Sequence, residues 1–288
     1  MGKTWTILSE IEESIKDKVE EVGTPLKEWD ISINYGIKTG LNEAFIISDE
    51  TRKNILDNCV TKTELRETHK IIQPIIRGKD IKRYIIEFQN LFLINVHNGY
   101  TTKENNLIKP ICIDDYPAIK SYLSKFDDQL SKRTDKGVTH YNLRSLAYMD
   151  DFFKQKLIYP NMTKYLPFVF DENGYVTNQK CFIITGENIA YLTAFFNSSL
   201  FKFAFSSNFP ELQGGTRELS KIFFEMIPVK KVTKEVNQIF YEKITKIQNF
   251  KKDNIYDHNQ LEVEVDNMIF DIYGIKEDQR KIIGYIEI

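Results

Sequence analysis

"KLIYPNMTKYLPFVFDENGYVTNQKCFIIT" (156–185) carries three apolar runs in quick succession, and their reading decides the fold. "KLIYPN", "PFVFD" and "KCFIIT" are short, rich in β-branched and aromatic residues, and bounded by Asn, Pro and Gly, which marks them as strands. Glu172-Asn173-Gly174 between the second and third reads as a turn. Just downstream, "ENIAYLTAFFNSSLFKFAF" (187–205) is apolar almost throughout and reads as one buried helix. Upstream, from about 29 to 118, the chain shows short β-like runs, "FIIS", "YIIEF" and "LFLINV", broken by Gly, Asn and Pro. Between these regions, 127–145 ("DDQLSKRTDKGVTHYNLRS") has little periodicity and reads as a long loop with helical fragments.

Both ends of the chain are helical in pattern. Residues 6–22 place Ile7, Leu8, Ile11, Ile15, Val19 and Val22 at helical spacing, with Ser9 as a cap and Gly23 and Pro25 as a stop. Residues 233–252 put Val236, Ile239, Phe240, Ile244, Ile247 and Phe250 on one face. Residues 259–273 do the same with Leu261, Val265, Met268, Ile269 and Ile272, ending at Gly274. Two such helices this close form an antiparallel pair. The expected architecture is α+β: a connector helix (1–27), an irregular mixed β-sheet domain with flanking helices (28–230), and a C-terminal helical hairpin (231–288).

Composition bounds the function. The net charge of −2 excludes a globally basic nucleic-acid binder but leaves room for a local basic face. The aromatics, 20 Phe and 15 Tyr, suit a packed core and surfaces that stack on bases. Cys59, Cys112 and Cys181 are far apart and form no CxxC, and the four histidines are scattered. Neither a zinc site nor a disulfide framework is expected, and a reducing cytoplasmic setting fits. No signal peptide or membrane span is expected either.

Catalytic motifs are missing from the pattern. In "NYGIKTGLNEAFIIS" (34–48), Gly36 and Gly40 are separated by three residues, and Lys38 precedes the second glycine. A phosphate loop needs GxxxxGK[ST], so this stretch reads as a glycine-bearing turn before a strand. Asp80-Ile81-Lys82 is a lone DxK without the upstream Pro-Asp that metal-dependent nuclease chemistry calls for. Serine-hydrolase and kinase signatures, and the [DNS]PP[YFW] motif of amino-methylating enzymes, do not occur. No catalysis is expected from this chain in isolation, and binding is what remains. Lys132, Arg133, Lys136 and Arg144 stand against Asp135 alone, a local net of +3, with His140 and Tyr141 interleaved. "QGGTRELSK" (213–221) is a second candidate: its two glycines permit close backbone approach, and Thr216 is positioned to cap a following turn.

Taken in order, several segments resemble the TaqI-like C-terminal specificity domain, the target-recognition domain of adenine-specific, often type IIG, restriction-modification enzymes. They are "GIKTGLNEAFII" (36–47), "IIQPIIRGKDIKRY" (71–84), "YNLRS" (141–145), "KLIYPNMTKYLPFVFDENGYVTNQKCFII" (156–184), "AYLTAFFNSSLFKF" (190–203), "FFEMIPV" (223–229) and "VEVDNMIFDIYGI" (263–275). The resemblance runs over roughly 30–280. It implies recognition of double-stranded DNA, with the target adenine flipped into a catalytic pocket elsewhere in a parent enzyme. It further implies that S-adenosylmethionine, and Mg where the parent cleaves, belong to a partner methyltransferase or nuclease domain, so that no cofactor is held by this chain. In the family, "RGKDIKRY" packs near the junction with the methyltransferase.

The expected DNA contacts are Lys132, Arg133, Lys136, His140, Tyr141 and Arg144, then Lys164 and Tyr165, and Gln213, Thr216 and Arg217. Arg, Gln and His would read base edges, while Lys and Thr would hold phosphates. Two other readings stand beside this one: a specificity subunit of a multi-subunit type I system, and a helical interaction scaffold that does not bind DNA.

Overall fold

The computed structural model describes residues 10–102 and 104–285, and its fold is α+β. In chain order, the strands of its three larger sheets are β1 (Ile31–Tyr35), β2 (Ile46–Ser48), β3 (Ile72–Ile76), β4 (Leu91–Ile94), β5 (Lys156–Pro160), β6 (Met162–Thr163), β7 (Val169–Asp171), β8 (Val176–Thr177), β9 (Cys181–Gly186), β10 (Glu211–Leu212) and β11 (Thr216–Glu218). The principal helices are α1 (Glu10–Val22), α2 (Asp49–Asp57), α3 (Lys62–Ile71), α4 (Pro117–Leu123), α5 (Ile189–Asn197), α6 (Ser199–Phe205), α7 (Lys234–Lys252) and α8 (His258–Ile272).

The three runs of 156–185 lie in one sheet, ordered β7–β5–β9–β1 and antiparallel throughout, with Ile158 opposite both Val169 and Ile183. Side chains alternate along a strand. Leu157, Tyr159, Phe170, Phe182 and Ile184 therefore face one hydrophobic core, and Ile158, Val169, Cys181 and Ile183 face another. Burial on both faces explains why these runs are continuously apolar. Lys156, fully buried at the start of β5, pairs with Asp171 at the end of β7 at 2.5 Å and so fixes their relative register.

The second sheet, ordered β8–β3–β4–β2, is mixed: β8 and β3 run parallel, and the other pairs are antiparallel. It shares its core with α2, α3 and α4. The sequence reads this region as strands and gives little sign of α2 and α3. Their apolar anchors are sparse, since Ile55 is the one buried residue of α2. They are defined instead by caps, with Ser48 accepting from the Thr51 amide and Thr61 from the Glu64 amide. "YIIEF" is not a strand. Tyr84 sits at φ 65° with its amide bonded to the Phe168 carbonyl, which leaves only an isolated bridge between Ile81 and Ile86. The Glu172–Gly174 turn is present, with Gly174 at φ 75°, but it links two sheets and does not close a hairpin.

The helix expected over 187–205 is two helices. Ser198 adopts an extended backbone and caps α6 by accepting from the Phe201 amide. Against them pack α7 and α8, the antiparallel pair expected from the tail. A single core holds Ile15 and Val19 of α1, Phe182 of the sheet, Phe195, Phe240 and Val265. Packing is thus continuous across the boundaries drawn at 27/28 and 230/231. Ile7, Leu8 and Ser9 of the expected first helix lie outside the described residues. Among the described residues, no helix is long and apolar enough to cross a membrane.

Candidate nucleic-acid interface

Strand direction gathers four loops at one edge of the fold. β1 and β5 both run antiparallel to β9, so their C-terminal ends emerge together where β9 begins; β3 and β8 are parallel and end together as well. Four backbone hydrogen bonds tie these ends to one another. Gly36 donates to Cys181 O (2.9 Å), Ile37 to Thr177 O (2.7 Å), Asn178 to Ile76 O (3.0 Å) and Asn161 to Lys180 O (2.8 Å). The segments that leave this edge are 36–40, 77–83, 161–165 and 178–180.

The last three of these segments enclose an open cleft of about 760 Å³. Six cations line it, Arg77, Lys79, Lys82, Arg83, Lys164 and Lys180, and no acidic side chain does. Arg77 is neutralised by the buried Asp80, which accepts from Nε and Nη2 at 2.9 Å each. Lys82 faces Glu87 at 3.7 Å. Arg83 pairs with Glu262 of α8 at 2.9 Å, as a charge contact without an aligned hydrogen bond. Lys79, Lys164 and Lys180 are exposed, and among the described residues none has an acidic partner within 4 Å. Three uncompensated ammonium groups around one opening make it electropositive, on a chain whose net charge is negative.

Beside the cleft stands a three-stranded ribbon, β10–β11–β6, in which Arg217 lies opposite Thr163 and Thr216 opposite Leu212. Its tip, Gln213-Gly214-Gly215, is exposed, with both glycines at left-handed φ (78° and 75°) and open space where a Cβ would lie. Thr216 closes the short 213–215 turn and opens a strand, so no following turn is capped by it. Arg217 donates to Ser206 O (2.9 Å) and Phe209 O (3.2 Å) and pairs with Glu211 (3.0 Å), so it braces the ribbon from behind. Lys164 and Tyr165 project from the loop after β6; Tyr165 is 86% exposed. A bond from its amide to Thr163 Oγ1 (3.1 Å) and the burial of the next residue, Leu166, fix its direction.

The 131–145 segment differs from the sequence reading. Arg133 is buried, lies over the Phe45 ring (4.7 Å to its centroid), and donates to the carbonyls of Thr39, Asp135, His140 and Asn142. Its fork holds the segment to the 36–40 turn and is not available to a ligand. Tyr141 is buried too. Its hydroxyl donates to Asp127 Oδ1 (2.7 Å), and burial together with that bond pushes its pKa up to about 12. Sequence cannot separate an arginine that grips carbonyls from one that faces solvent, because both occur in polar, aperiodic chain. His140 is half-exposed and lies 3.3 Å from the same Asp127 oxygen. Arg144 is exposed, 3.5 Å from Asp135, which Lys38 also reaches at 2.7 Å. Lys136 donates to Ser131 O (2.9 Å), and Lys132 is exposed with no acid within 4 Å among the described residues.

Asp80 of the lone DxK is buried, with both oxygens committed to Arg77, and among the described residues no three His, Cys, Asp or Glu side chains group to hold a cation. The site offers positive charge, exposed amide and hydroxyl groups, and one aromatic ring.

Residues 73–229, more than half of the chain and including every strand of this edge except β1, match the TaqI-like C-terminal specificity domain. The chain belongs to that family. Two solved structures share the fold of this specificity domain. One is the type IIL restriction-modification enzyme MmeI in complex with DNA (TM-score 0.62, 12% identity, 88% of this chain and 34% of that one). The other is the type IIG restriction endonuclease BpuSI (TM-score 0.50, 12% identity, 92% and 33%). The chain spans about a third of the length of these relatives. A comparison with curated proteins returns no match.

Within the specificity domain, the ribbon and its flanking loop unite Lys164, Tyr165, Gln213, Thr216 and Arg217, far apart in sequence. The cluster around 132–144 sits on the neighbouring 36–40 turn. Sequence reading missed Lys79, Lys82 and Lys180. The signal was present: "RGKDIKR" has the same excess of four cations over one acid as 131–145. What it lacked was the sheet topology that sets Lys180 and Lys164 beside it.

Proposed function

We propose that this chain is the DNA target-recognition module of a type II restriction-modification enzyme. In this reading it directs adenine methylation, and cleavage where the parent is a nuclease, carried out by other domains of the same polypeptide. The observation that carries the reading is the loop edge, where unpaired lysines lie beside a ribbon whose tip is exposed. Lys132, Lys136 and Lys164 hold phosphates on either side of the 36–40 turn. Thr216 holds a phosphate as well, Gln213, Arg144 and His140 present donors and acceptors to base edges, and Tyr165 offers a stacking face. Arg133, Tyr141 and Arg217 act by shaping the surface. The family supports recognition in general, and the fold shared with an enzyme solved on DNA is consistent with it.

Selection from a randomised duplex library tests this reading. The expected outcome is enrichment of one short consensus, with Gln213→Ala relaxing it at one position at a cost of about 1–3 kcal/mol. A library that returns unenriched after repeated rounds would leave the helical-scaffold reading in its place.

A further inference from the structure

The cleft at the loop edge has more shape than a duplex backbone requires. It is concave and falls within the roughly 300–1,000 Å³ typical of small-ligand sites. Its lining divides in two. Its apolar half is the exposed Met162 and Tyr165, backed by the buried Ile81 and Pro167, while Lys79, Lys164 and Lys180 are unpaired cations. A ligand that matches both halves has a flat apolar face and a compact anionic group of high charge. Lysine is a compact point charge suited to phosphate, and an aromatic ring with aliphatic neighbours suits the π-face of a base.

We propose that this cleft is a seat for one nucleoside phosphate unit, its base against Ile81, Met162, Pro167 and Tyr165 and its phosphate among Lys79, Lys164 and Lys180. Such a unit has two sources, a free nucleotide or a nucleotide of a DNA strand that has left the duplex stack. Only the second rests on the DNA-recognition reading. Its position beside the ribbon would let a bound duplex deliver an unstacked nucleotide without moving the protein's backbone. Arg77 and Arg83 also line the cleft and are held by Asp80 and Glu262.

The test uses the whole chain and three ligands at one salt concentration: a fully paired duplex, the same duplex with one unpaired adenosine, and free dAMP. The bulged duplex is expected to bind about tenfold tighter than the paired one. Lys79→Gln/Lys180→Gln and Tyr165→Ala, all at exposed positions and checked for unchanged melting, should each bring that ratio to one. Lys132→Gln/Lys136→Gln should weaken both duplexes alike and keep the ratio. Saturable dAMP binding that the Lys79/Lys180 double variant abolishes would assign the cleft to free nucleotides. Equal binding of the two duplexes with no saturable dAMP binding overturns the proposal, as does a preference that survives the cleft variants. If the paired duplex binds and the cleft arms fail, DNA recognition stands without the nucleotide seat. If dAMP binds and no duplex does, the seat stands and DNA recognition falls.

Discussion

Arg133 shows how one side chain changes meaning between sequence and structure. In the sequence it is the second of two adjacent cations in a polar stretch. In the fold it is buried and bonded to four carbonyls that belong to two different loops. Removing it takes the donor from the buried Thr39 carbonyl and from the partly buried Asp135 and His140 carbonyls, while Asn142 O keeps the Gly137 amide, and the cost of unsatisfied groups exceeds the worth of the bonds themselves. Arg133→Ala is therefore expected to lower stability by about 3 kcal/mol, read as a shift in the denaturant midpoint with unchanged slope. Lys132→Ala, one residue away and exposed, should leave the midpoint where it is. Equal effects of the two would mean that Arg133 does not hold the loop.

At the scale of elements, Gly36 is the counterpart. A Cβ there would stand 1.9 Å from Asn178 O and 2.7 Å from Thr177 O, both backbone atoms of the strand end it packs against. The "NYGIKTG" stretch is thus a close backbone crossing, and the Gly36 and Ile37 amides are two of the bonds that join the strand ends. Gly36→Ala has to part them, with an expected loss of about 3 kcal/mol or more. Wild-type stability in that variant would contradict the crossing. A one-turn helix, Asn42–Phe45, intervenes between this turn and β2, where the sequence pattern suggests that the strand follows at once.

Acid should weaken the neighbouring segment. The Tyr141 hydroxyl holds Asp127 below its usual carboxylate value, and Lys38 does the same for Asp135. Carboxyls depressed in the folded state stabilise fully above their unfolded value of about 3.9 and lose that contribution as pH falls through the lower folded values. Burial raises Asp266, which works in the opposite sense. Melting temperature should therefore decline below about pH 4. Asp135→Asn should flatten that decline, and an unaltered acid profile in the variant would refute the assignment.

For the whole molecule, the legible part was the part with strong periodicity. The runs of 156–185 are buried on both faces, and the tail helices carry clean apolar stripes, so strands and helices alike could be read. The α2 and α3 helices depend on capping hydroxyls and a few apolar side chains, which leave a weaker trace. Half of the candidate site was legible as exposed basic or hairpin chain. The cleft was not, because it exists only where strands distant in sequence end together. Packing also ties the tail to the sheets: Arg83 of the cleft pairs with Glu262 of α8, and α1 shares the core of α7 and α8.

The central claim is that DNA meets this molecule at its loop edge. The direct measurement is duplex affinity against salt concentration for three proteins: wild type, Lys132→Gln/Lys136→Gln/Lys164→Gln at the edge, and the charge-matched Lys234→Gln/Lys246→Gln/Lys252→Gln on α7. Each phosphate contact contributes about 0.9 to the slope of log K against log salt, so the edge variant should be shallower by about 2 to 3. The α7 variant should keep the wild-type slope. A flat slope in the wild type, or equal losses in the two variants, would contradict the claim.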